Sequence, residues 1–405
     1  MESVAAGPAA ASAGVTPGRP RLGVLATHAI QYQAPLYQEL ARRGAVDLEV
    51  AFLGEGGARA QYDPGFCVPV AWDIDLLGGY RSILLAPGSG RERVRWPARL
   101  ATWLRWQDAV VLHGHAHPAM LFAAAACRAM GVPYLLRGES QPRPASQGPR
   151  VVARHAFAWL TVRGAAAALP IGQLNAAFYQ RYGPVPLFAA PYSVDSARFA
   201  TVAAAARGER AGRLASLGLD PRLPVVVFSG KLIPRKRPLD VIQAVGRAGG
   251  RLNLLMLGDG PLREEVRGFE RRLPVRCLGF VNQADLPGWY ACGDVLVLSS
   301  DHEPWGVVVN EGMACGLVPV VSDAVGCAPD LVAGVGEVYP AGDVGALARA
   351  LDRVRCDLPA RRAKAAARLA GFTTAATAHG YEQAARHAAR RRRSREPGRQ
   401  AGGGT

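Results

Sequence analysis

The sequence contains no long apolar run, no closely spaced cysteine pair and almost no lysine. The best candidate for a membrane span, residues 121–136, carries Arg128 and is interrupted by glycine and proline, whereas a span needs about 20 apolar residues. The seven cysteines include no C-x-x-C pair, which argues against a disulfide framework or a structural zinc site. These absences predict a cytoplasmic protein that does not cross a membrane.

The two ends of the chain have the composition of unstructured segments. Residues 1–20 lack the basic and apolar regions of a secretory signal and are expected to form a disordered leader. Residues 390–405 form an arginine-rich tail within a chain of net charge +16. No zinc-finger, RNP-type or basic-zipper pattern accompanies this charge, so we expect no nucleic-acid partner. The basic segments are either solvated or in weak peripheral contact with the inner face of a membrane.

Strand-like apolar runs alternate with helical patterns in both halves of the chain, as in βαβ units. This rhythm predicts an α/β protein with two doubly wound, parallel-sheet, Rossmann-like domains facing across a cleft. We predict an N-terminal domain at 21–190, a linker at 191–223, a C-terminal domain at 224–370 and a helix at 371–389. In such sheets ligands bind beyond the carboxyl ends of the strands, so the loops there are the candidate site.

The most informative run follows a strand and contains Glu303, Pro304, Gly306 and Glu311. Gly306 is expected to open a helix, with Glu303 in the loop before it and Glu311 about two turns inside. The free N–H groups of Gly306 and Val307 suit an anion such as a diphosphate. The two carboxylates, about 10–12 Å apart, suit hydroxyl groups at both ends of one elongated ligand. A nucleoside diphosphate sugar has that shape.

Two other interpretations of this run stay open. In the first, Glu303 serves only as an N-terminal helix cap and Glu311 is merely exposed. In the second, Asp301, His302 and Glu303 form a metal site. Adjacent side chains at a strand end diverge, which disfavours the metal site.

The run from Glu303 to Ser322 resembles the signature of family 4 retaining glycosyltransferases, which have the GT-B fold. Three further stretches resemble the same family in the same order: 229–245, 257–266 and 281–300. The resemblance implies that Glu303 contacts the transferred sugar, Glu311 the ribose, and Lys231 and Lys236 the diphosphate. It also implies metal-independent catalysis without a cofactor, and a C-terminal helix that returns to the N-terminal domain. Where the family commonly has arginine this chain has Lys231, which cannot form a bidentate fork.

Other residues of the C-terminal domain fall within these stretches. Gly230 either lets the backbone approach the phosphate or serves only in a turn. Gly258, Asp259 and Gly260 form a turn near the nucleotide in the family, although Asp259 is also suited to satisfy local backbone groups. Trp305 is included with the donor-binding residues because it lies between Glu303 and the helix start.

The acceptor is expected on the N-terminal domain, where the resemblance is weaker. After the first strand the chain lacks the family's double glycine and offers His28, Gln31 and Tyr32. His115 belongs to a His-x-His like that of the family. Where many members have a histidine after the next strand, this chain has Arg137 and Glu139 as replacements.

The sequence thus predicts a glycosyltransferase that moves a hexose or amino-hexose from a nucleoside diphosphate sugar, most simply a UDP-sugar, to a hydroxyl of a small molecule or glycan. Natural-product glycosylation and cell-envelope polysaccharide assembly are both compatible settings. The alternatives are a sugar-nucleotide epimerase of the same fold and a catalytically inactive nucleotide-sugar-binding protein.

Overall fold

The computed structural model describes residues 18–57, 60–86, 94–114, 117–142 and 149–395. The strands are β1 (Arg21–Ala26), β2 (Asp47–Phe52), β3 (Gln61–Asp63), β4 (Val68–Val70), β5 (Arg81–Leu84), β6 (Ala109–His113), β7 (Tyr134–Arg137), β8 (Ala167–Ala168), β9 (Val225–Ser229), β10 (Asn253–Leu257), β11 (Val275–Gly279), β12 (Val295–Leu298), β13 (Val318–Ser322) and β14 (Glu337–Tyr339). The α-helices are α1 (Ala34–Arg43), α2 (Trp96–Arg105), α3 (Pro118–Ala129), α4 (Pro149–Gly164), α5 (Gln173–Gln180), α6 (Ser196–Ala206), α7 (Arg210–Ser216), α8 (Pro238–Arg247), α9 (Arg263–Gly268), α10 (Leu286–Tyr290), α11 (Val307–Ala314), α12 (Val344–Arg355), α13 (Leu358–Leu369) and α14 (Thr374–Arg395).

Each domain contains a parallel sheet with helices on both faces. The N-terminal sheet has the order β5-β2-β1-β6-β7-β8, and the C-terminal sheet has the order β11-β10-β9-β12-β13-β14. Every residue of β9 and of β10 is buried, as expected for parallel strands that are covered on both sides. The predicted pair of doubly wound domains is therefore confirmed.

Short elements of low apolar content were not anticipated. The edge strands β5 and β14 are partly exposed, so neither has the continuous apolar run that marks the central strands. The antiparallel pair β3 and β4 forms a separate two-stranded hairpin between β2 and β5.

The prediction that residues 191–223 form a linker is wrong, because most of this segment is helical and packed. Helices α6 and α7 lie here, and they bury Phe199, Ala203 and Leu214 in the same apolar cluster as Val225 of β9. Phe199, Ala203 and Ala206 at helical spacing give α6 an apolar face that the C-terminal domain covers. The segment is thus part of the C-terminal domain core.

The last helix, α14, packs on the N-terminal domain and is longer than expected. Tyr381 is buried in that domain's core, and Glu382 forms an ion pair with Arg43 of α1 at 2.6 Å. The predicted end at Ala389 is wrong, because the helix continues to Arg395. Arg391 donates to the carbonyl of Ala166, which fixes the continuation to the domain.

The remainder of the predicted tail and residues 1–17 lie outside the described residues. Among the helices that are described, none combines the length and the apolar character needed to cross a membrane.

Candidate functional site

The loops that follow β9, β10 and β12 meet at one edge of the C-terminal sheet. The backbone N–H of Leu232 donates to the backbone carbonyl of Asp259 at 2.8 Å, which joins the first two loops. The Ser299 hydroxyl donates to the carbonyl of Lys236 at 2.8 Å, which joins the first to the third. These bonds hold the predicted donor-binding residues together on the side that faces the N-terminal domain.

Lys236 and Glu303 form an ion pair in which Nζ donates to Oε2, and each side chain is 14% exposed. Asp301 instead pairs with Arg237 at 3.1 Å. The neighbouring carboxylates therefore bind different cations and do not converge. Within the described residues, no three His, Cys, Asp or Glu side chains are grouped as metal ligands would be.

Helix α11 begins at Val307, with Gly306 at its N-cap. Gly306 has φ 97°, and a Cβ there would lie 2.6 Å from a methyl group of Leu298, so both conformation and space require glycine. The first-turn N–H groups of such a helix have no intrahelical acceptor and can bind an anion. Glu311 is the fifth helical residue, so it lies about one turn inside the helix; the expectation of two turns is wrong because Pro304 and Trp305 precede the helix.

Glu311 is buried, with 5% of its surface exposed. Its carboxylate accepts a hydrogen bond from Tyr290 at 3.1 Å and a longer one from Gln283 at 3.5 Å. Burial raises the pKa of Glu311 to about 7, although these two donors and the charge of Arg198 oppose the shift. Glu311 is therefore not an exposed surface residue, which argues against the interpretation that gave it no function.

Lys231 faces the N-terminal domain. Its ammonium group donates to both carboxylate oxygens of Asp63 at 2.8 Å and lies 5.0 Å from the centre of the Phe66 ring. The preceding Gly230 has φ 142° and open space where a Cβ would point, so this glycine is required by conformation and not by packing.

Two nearby glycines are required by close backbone packing. A Cβ at Gly258 would lie 1.8 Å from the carbonyl oxygen of Gly230, and one at Gly260 would lie 2.7 Å from that of Leu232. Asp259 between them is buried and accepts hydrogen bonds from the Gly260 amide at 2.8 Å and from Arg263 at 2.5 Å. These contacts support the local structural role that the sequence left open for Asp259.

The assignment of the Trp305 side chain to the donor site is wrong for this conformation. Its indole is 2% exposed, donates to Asn310 at 2.9 Å and packs against the rings of Tyr192 and Phe372. Gly172 approaches the same ring so closely that a Cβ would lie 2.4 Å from it. The Trp305 side chain therefore packs between the two domains.

On the N-terminal side, Glu139 lies beside the Glu303 loop. Its carboxylate accepts hydrogen bonds from Tyr192 at 2.5 Å and Tyr32 at 3.3 Å. Gln141, two residues further on, donates to the carbonyl of Pro304. The partly exposed carboxylate of Glu139 thus remains a candidate to contact an acceptor.

Arg137 is not available to an acceptor, so its proposed role as a replacement for a histidine is wrong. The side chain is 2% exposed, and its guanidinium lies between the rings of Tyr192 and Tyr381 at 5.0 and 5.3 Å. It also donates to the carbonyl of Ala190 at 2.6 Å. Arg137 therefore stabilises the end of β7 from within the core.

The remaining acceptor-side predictions have different outcomes. Gln31 and Tyr32 line a cavity of about 180 Å³ that also contains Glu311, so they lie close to the candidate ribose site. His28 is exposed and bonds to Thr27 at 2.9 Å. His115 lies outside the described residues.

Four residues at this site were not singled out from the sequence: Asp63, Arg198, Gln283 and Tyr290. Gln283 and Tyr290 lie within the stretch 281–300 that resembles the family, so a closer examination of it would have found them. Asp63 and Arg198 carry no motif and are recognised only through their contacts.

Comparison with known proteins finds similarity to glycosyltransferases. Residues 223–357 match the family model described as glycosyl transferases group 1. The C-terminal domain is therefore similar to a group 1 glycosyltransferase domain. The match begins just before β9 and ends just after α12, so it contains Lys231, Lys236, Glu303 and Glu311.

The relatives found by sequence match only part of this chain. A D-inositol 3-phosphate glycosyltransferase from Mycobacterium sp. (strain KMS) is 36% identical over 177 residues, which cover 39% of this chain and 38% of the relative. The sulfoquinovosyl transferase SQD2 of Arabidopsis thaliana is 32% identical over 113 residues, 28% of this chain and 22% of the relative. The chain therefore spans less than half the length of these two relatives.

Solved structures match over nearly the whole chain. The Anabaena protein Alr3699/HepE, in complex with UDP and glucose, has a TM-score of 0.68 at 16% identity and covers 90% of this chain and 99% of its own. Sucrose-phosphate synthase from Thermosynechococcus elongatus has a TM-score of 0.63 at 18% identity, with coverages of 91% and 98%. At these identities the likeness establishes the fold, which is GT-B.

Proposed function

We propose that this chain is a retaining glycosyltransferase of family 4, which moves a hexose or amino-hexose from a nucleoside diphosphate sugar to an acceptor hydroxyl. One observation carries the proposal: the Glu303–Lys236 pair, the helix start at Gly306 and the buried carboxylate of Glu311 follow one another from the loop after β12 into α11. Their order suits the hexose, the diphosphate and the ribose of one donor.

The charges suit departure of a nucleoside diphosphate. As the bond to the sugar breaks, negative charge grows on the phosphate, and the ammonium groups of Lys231 and Lys236 stabilise it more in the transition state than in the ground state. The first-turn amides of α11 add neutral donors to the same region. The proposal assigns the charge stabilisation to these protein groups and includes no metal ion.

Retention follows from the resemblance and implies a front-face substitution. The acceptor oxygen bonds to the anomeric carbon on the side from which the diphosphate leaves. At the same time the bond between the anomeric carbon and the phosphate oxygen breaks. The acceptor proton passes to the departing phosphate oxygen, so atoms and charges balance without a protein nucleophile. Glu303 would orient the sugar hydroxyls during this step, held in place by Lys236.

The donor is most simply a UDP-hexose, supported by the Anabaena structure that contains UDP and glucose. The acceptor is a small molecule or glycan, in aminoglycoside-type natural-product glycosylation or in cell-envelope polysaccharide synthesis. Mass spectrometry of reactions with UDP-, GDP- and ADP-hexoses and a panel of both acceptor types tests the proposal. Mass gain of one hexose on an acceptor supports it, and NMR of the product reports the anomeric configuration.

The same experiment separates the alternatives. An epimerase would convert the nucleotide sugar without an acceptor, and a binding protein would leave all components unchanged. The presence of both lysines and both carboxylates in ordered contacts favours the transferase, because loss of such groups is what degeneration to a binding protein would entail.

Peripheral contact with the inner face of a membrane belongs to the same proposal. Helix α4 exposes Phe157, Trp159 and Leu160, and the guanidinium of Arg163 lies 5.0 Å from the centre of the Trp159 ring. The sequence between 94 and 164 contains nine arginines and two acidic residues. Exposed apolar side chains flanked by arginine suit the interface of an anionic bilayer, and a lipid-linked acceptor would be reached there.

A further inference from the structure

The hairpin formed by β3 and β4 lies over the loop that carries Lys231. Asp63, the last residue of β3, accepts hydrogen bonds from the amides of Gly65 at 2.8 Å and Phe66 at 3.1 Å. The same carboxylate binds the Lys231 ammonium group through both oxygens. Asp63 is therefore oriented by its own turn and presented to the cation of the other domain.

The turn is fitted closely to the C-terminal domain. A Cβ at Gly65 would lie 2.6 Å from the Lys231 side chain, and a Cβ at Gly260 would lie 2.9 Å from the carbonyl oxygen of Gly65. The Phe66 ring packs edge-on against Phe280 at 5.1 Å. The hairpin thus covers the two glycine-containing loops that the donor would approach.

Further bonds between the domains follow directly after the hairpin. Asn282 donates to the carbonyl of Ala71 at 2.6 Å, and the Ala284 amide donates to the carboxylate of Asp73 at 3.1 Å. These contacts do not involve Lys231, so they can hold the domains near each other when the hairpin itself moves.

The pair has a direct consequence for an anionic ligand. Although burial opposes ionisation, Lys231 and the two turn amides hold the pKa of Asp63 below its ordinary value, so Asp63 is charged at neutral pH. A diphosphate bound to Lys231 would lie within a few ångströms of this carboxylate and would be repelled by it. Lys231 therefore cannot bind the Asp63 carboxylate and the diphosphate at full strength at the same time.

We propose that Asp63 competes with the donor diphosphate for Lys231, so that Asp63 sets donor affinity and the hairpin is a latch released by the donor. This inference rests on the proposed function, since it takes Lys231 as a phosphate ligand. In the ligand-free protein Asp63 occupies the cation and the hairpin covers the loop. When the donor binds, its phosphate takes the ammonium group and the hairpin separates from it.

Calorimetric titration of Asp63→Asn with UDP, GDP and ADP tests the competition. Asparagine keeps an oxygen for the turn amides but removes the charge, so the dissociation constant is expected to fall about tenfold, the usual effect of one close charge pair. Asp220→Asn is the matched control: Asp220 has a similar side-chain exposure, 33% against 30%, and pairs with Arg222 away from the cleft. Unchanged or weaker binding in Asp63→Asn, relative to this control, would overturn the latch.

Two further measurements separate the latch from the function on which it rests. In a Lys231→Ala background, Asp63→Asn should give a smaller gain than in the wild type, because the cation for which the anions compete is absent and only the direct repulsion between Asp63 and the phosphate remains. Hydrogen exchange of the ligand-free protein should be faster at the amides of 61–70 in Asp63→Asn than in the wild type and in Asp220→Asn. If no nucleoside diphosphate binds the wild type, the proposed function fails. Unchanged hydrogen exchange at these amides in Asp63→Asn would independently reject the latch.

Discussion

The ammonium group of Lys236 donates a hydrogen bond to Oε2 of Glu303, and both side chains are largely withdrawn from solvent. One residue belongs to the loop after β9 and the other to the loop after β12, so the pair connects two strand ends that are adjacent in the sheet. Under the proposed function, the carboxylate assigned to the sugar and the cation assigned to the phosphate are thus already paired in the ligand-free protein.

Lys236→Ala is expected to lower kcat about 10²- to 10³-fold, as does removal of other groups that stabilise developing charge. Arg235→Ala is the control, because Arg235 is an exposed cation one residue away that donates to the carbonyl of His302. In Arg235→Ala, kcat should fall by less than about threefold, as is usual for surface substitutions. Steady-state kinetics with the donor found by mass spectrometry measures both, and equal losses would remove the specific role of Lys236.

The raised pKa of Glu311 predicts a dependence of stability on pH. Its pKa is about 7 in the folded protein against 4.5 for an ordinary glutamate, so between these values the folded state binds more protons than the unfolded state. The free energy of unfolding therefore falls as the pH rises through this window. Glu311→Gln should gain up to about 3 kcal/mol relative to the wild type between pH 5 and pH 8.

Urea unfolding of the wild type and Glu311→Gln at both pH values measures this difference in the ligand-free protein. Glu265→Gln, on the exposed face of α9, is the control and should show no such change. A constant difference between Glu311→Gln and the wild type would mean that Glu311 is ionised throughout the range.

Transfer should survive chelation, because the lysines and the helix start carry the diphosphate charge in the proposed mechanism. Activity in excess EDTA is expected to stay within about twofold of the activity without EDTA. Loss of activity that Mg²⁺ or Mn²⁺ restores would contradict this mechanism and make Asp301 a candidate ligand.

Membrane contact predicts a specific effect of the exposed apolar residues on α4. Trp159→Ser and Leu160→Ser should each weaken binding to vesicles that contain phosphatidylglycerol by about tenfold, since each removes a large side chain from the bilayer interface. Val338→Ser is the control, because Val338 is an exposed apolar residue on β14 of the other domain. Co-sedimentation measures all three, and equal binding would exclude α4 as the membrane-facing element.

The central strands could be predicted because each is a buried apolar run, as in β9 and β10. The packing of α6 and α7 could not, because alanine-rich helices and linkers have similar compositions, and only the structure shows that Phe199 and Leu214 lie in the core. The donor-side residues lie in motifs of fixed spacing. Burial of Trp305 and Arg137, and the pairing of Asp63 with Lys231, depend on contacts between distant segments that spacing does not encode.

The most direct test of a nucleotide-sugar site is calorimetric titration of the wild type, Glu311→Ala and Glu303→Ala with UDP, GDP and ADP. We predict that at least one nucleoside diphosphate binds the wild type at one site per chain. Glu311→Ala should weaken this binding about 10-fold or more through loss of the ribose contact, whereas Glu303→Ala should bind nearly as well and lose turnover instead. Absence of binding to the wild type, or unchanged affinity in Glu311→Ala, would contradict the account.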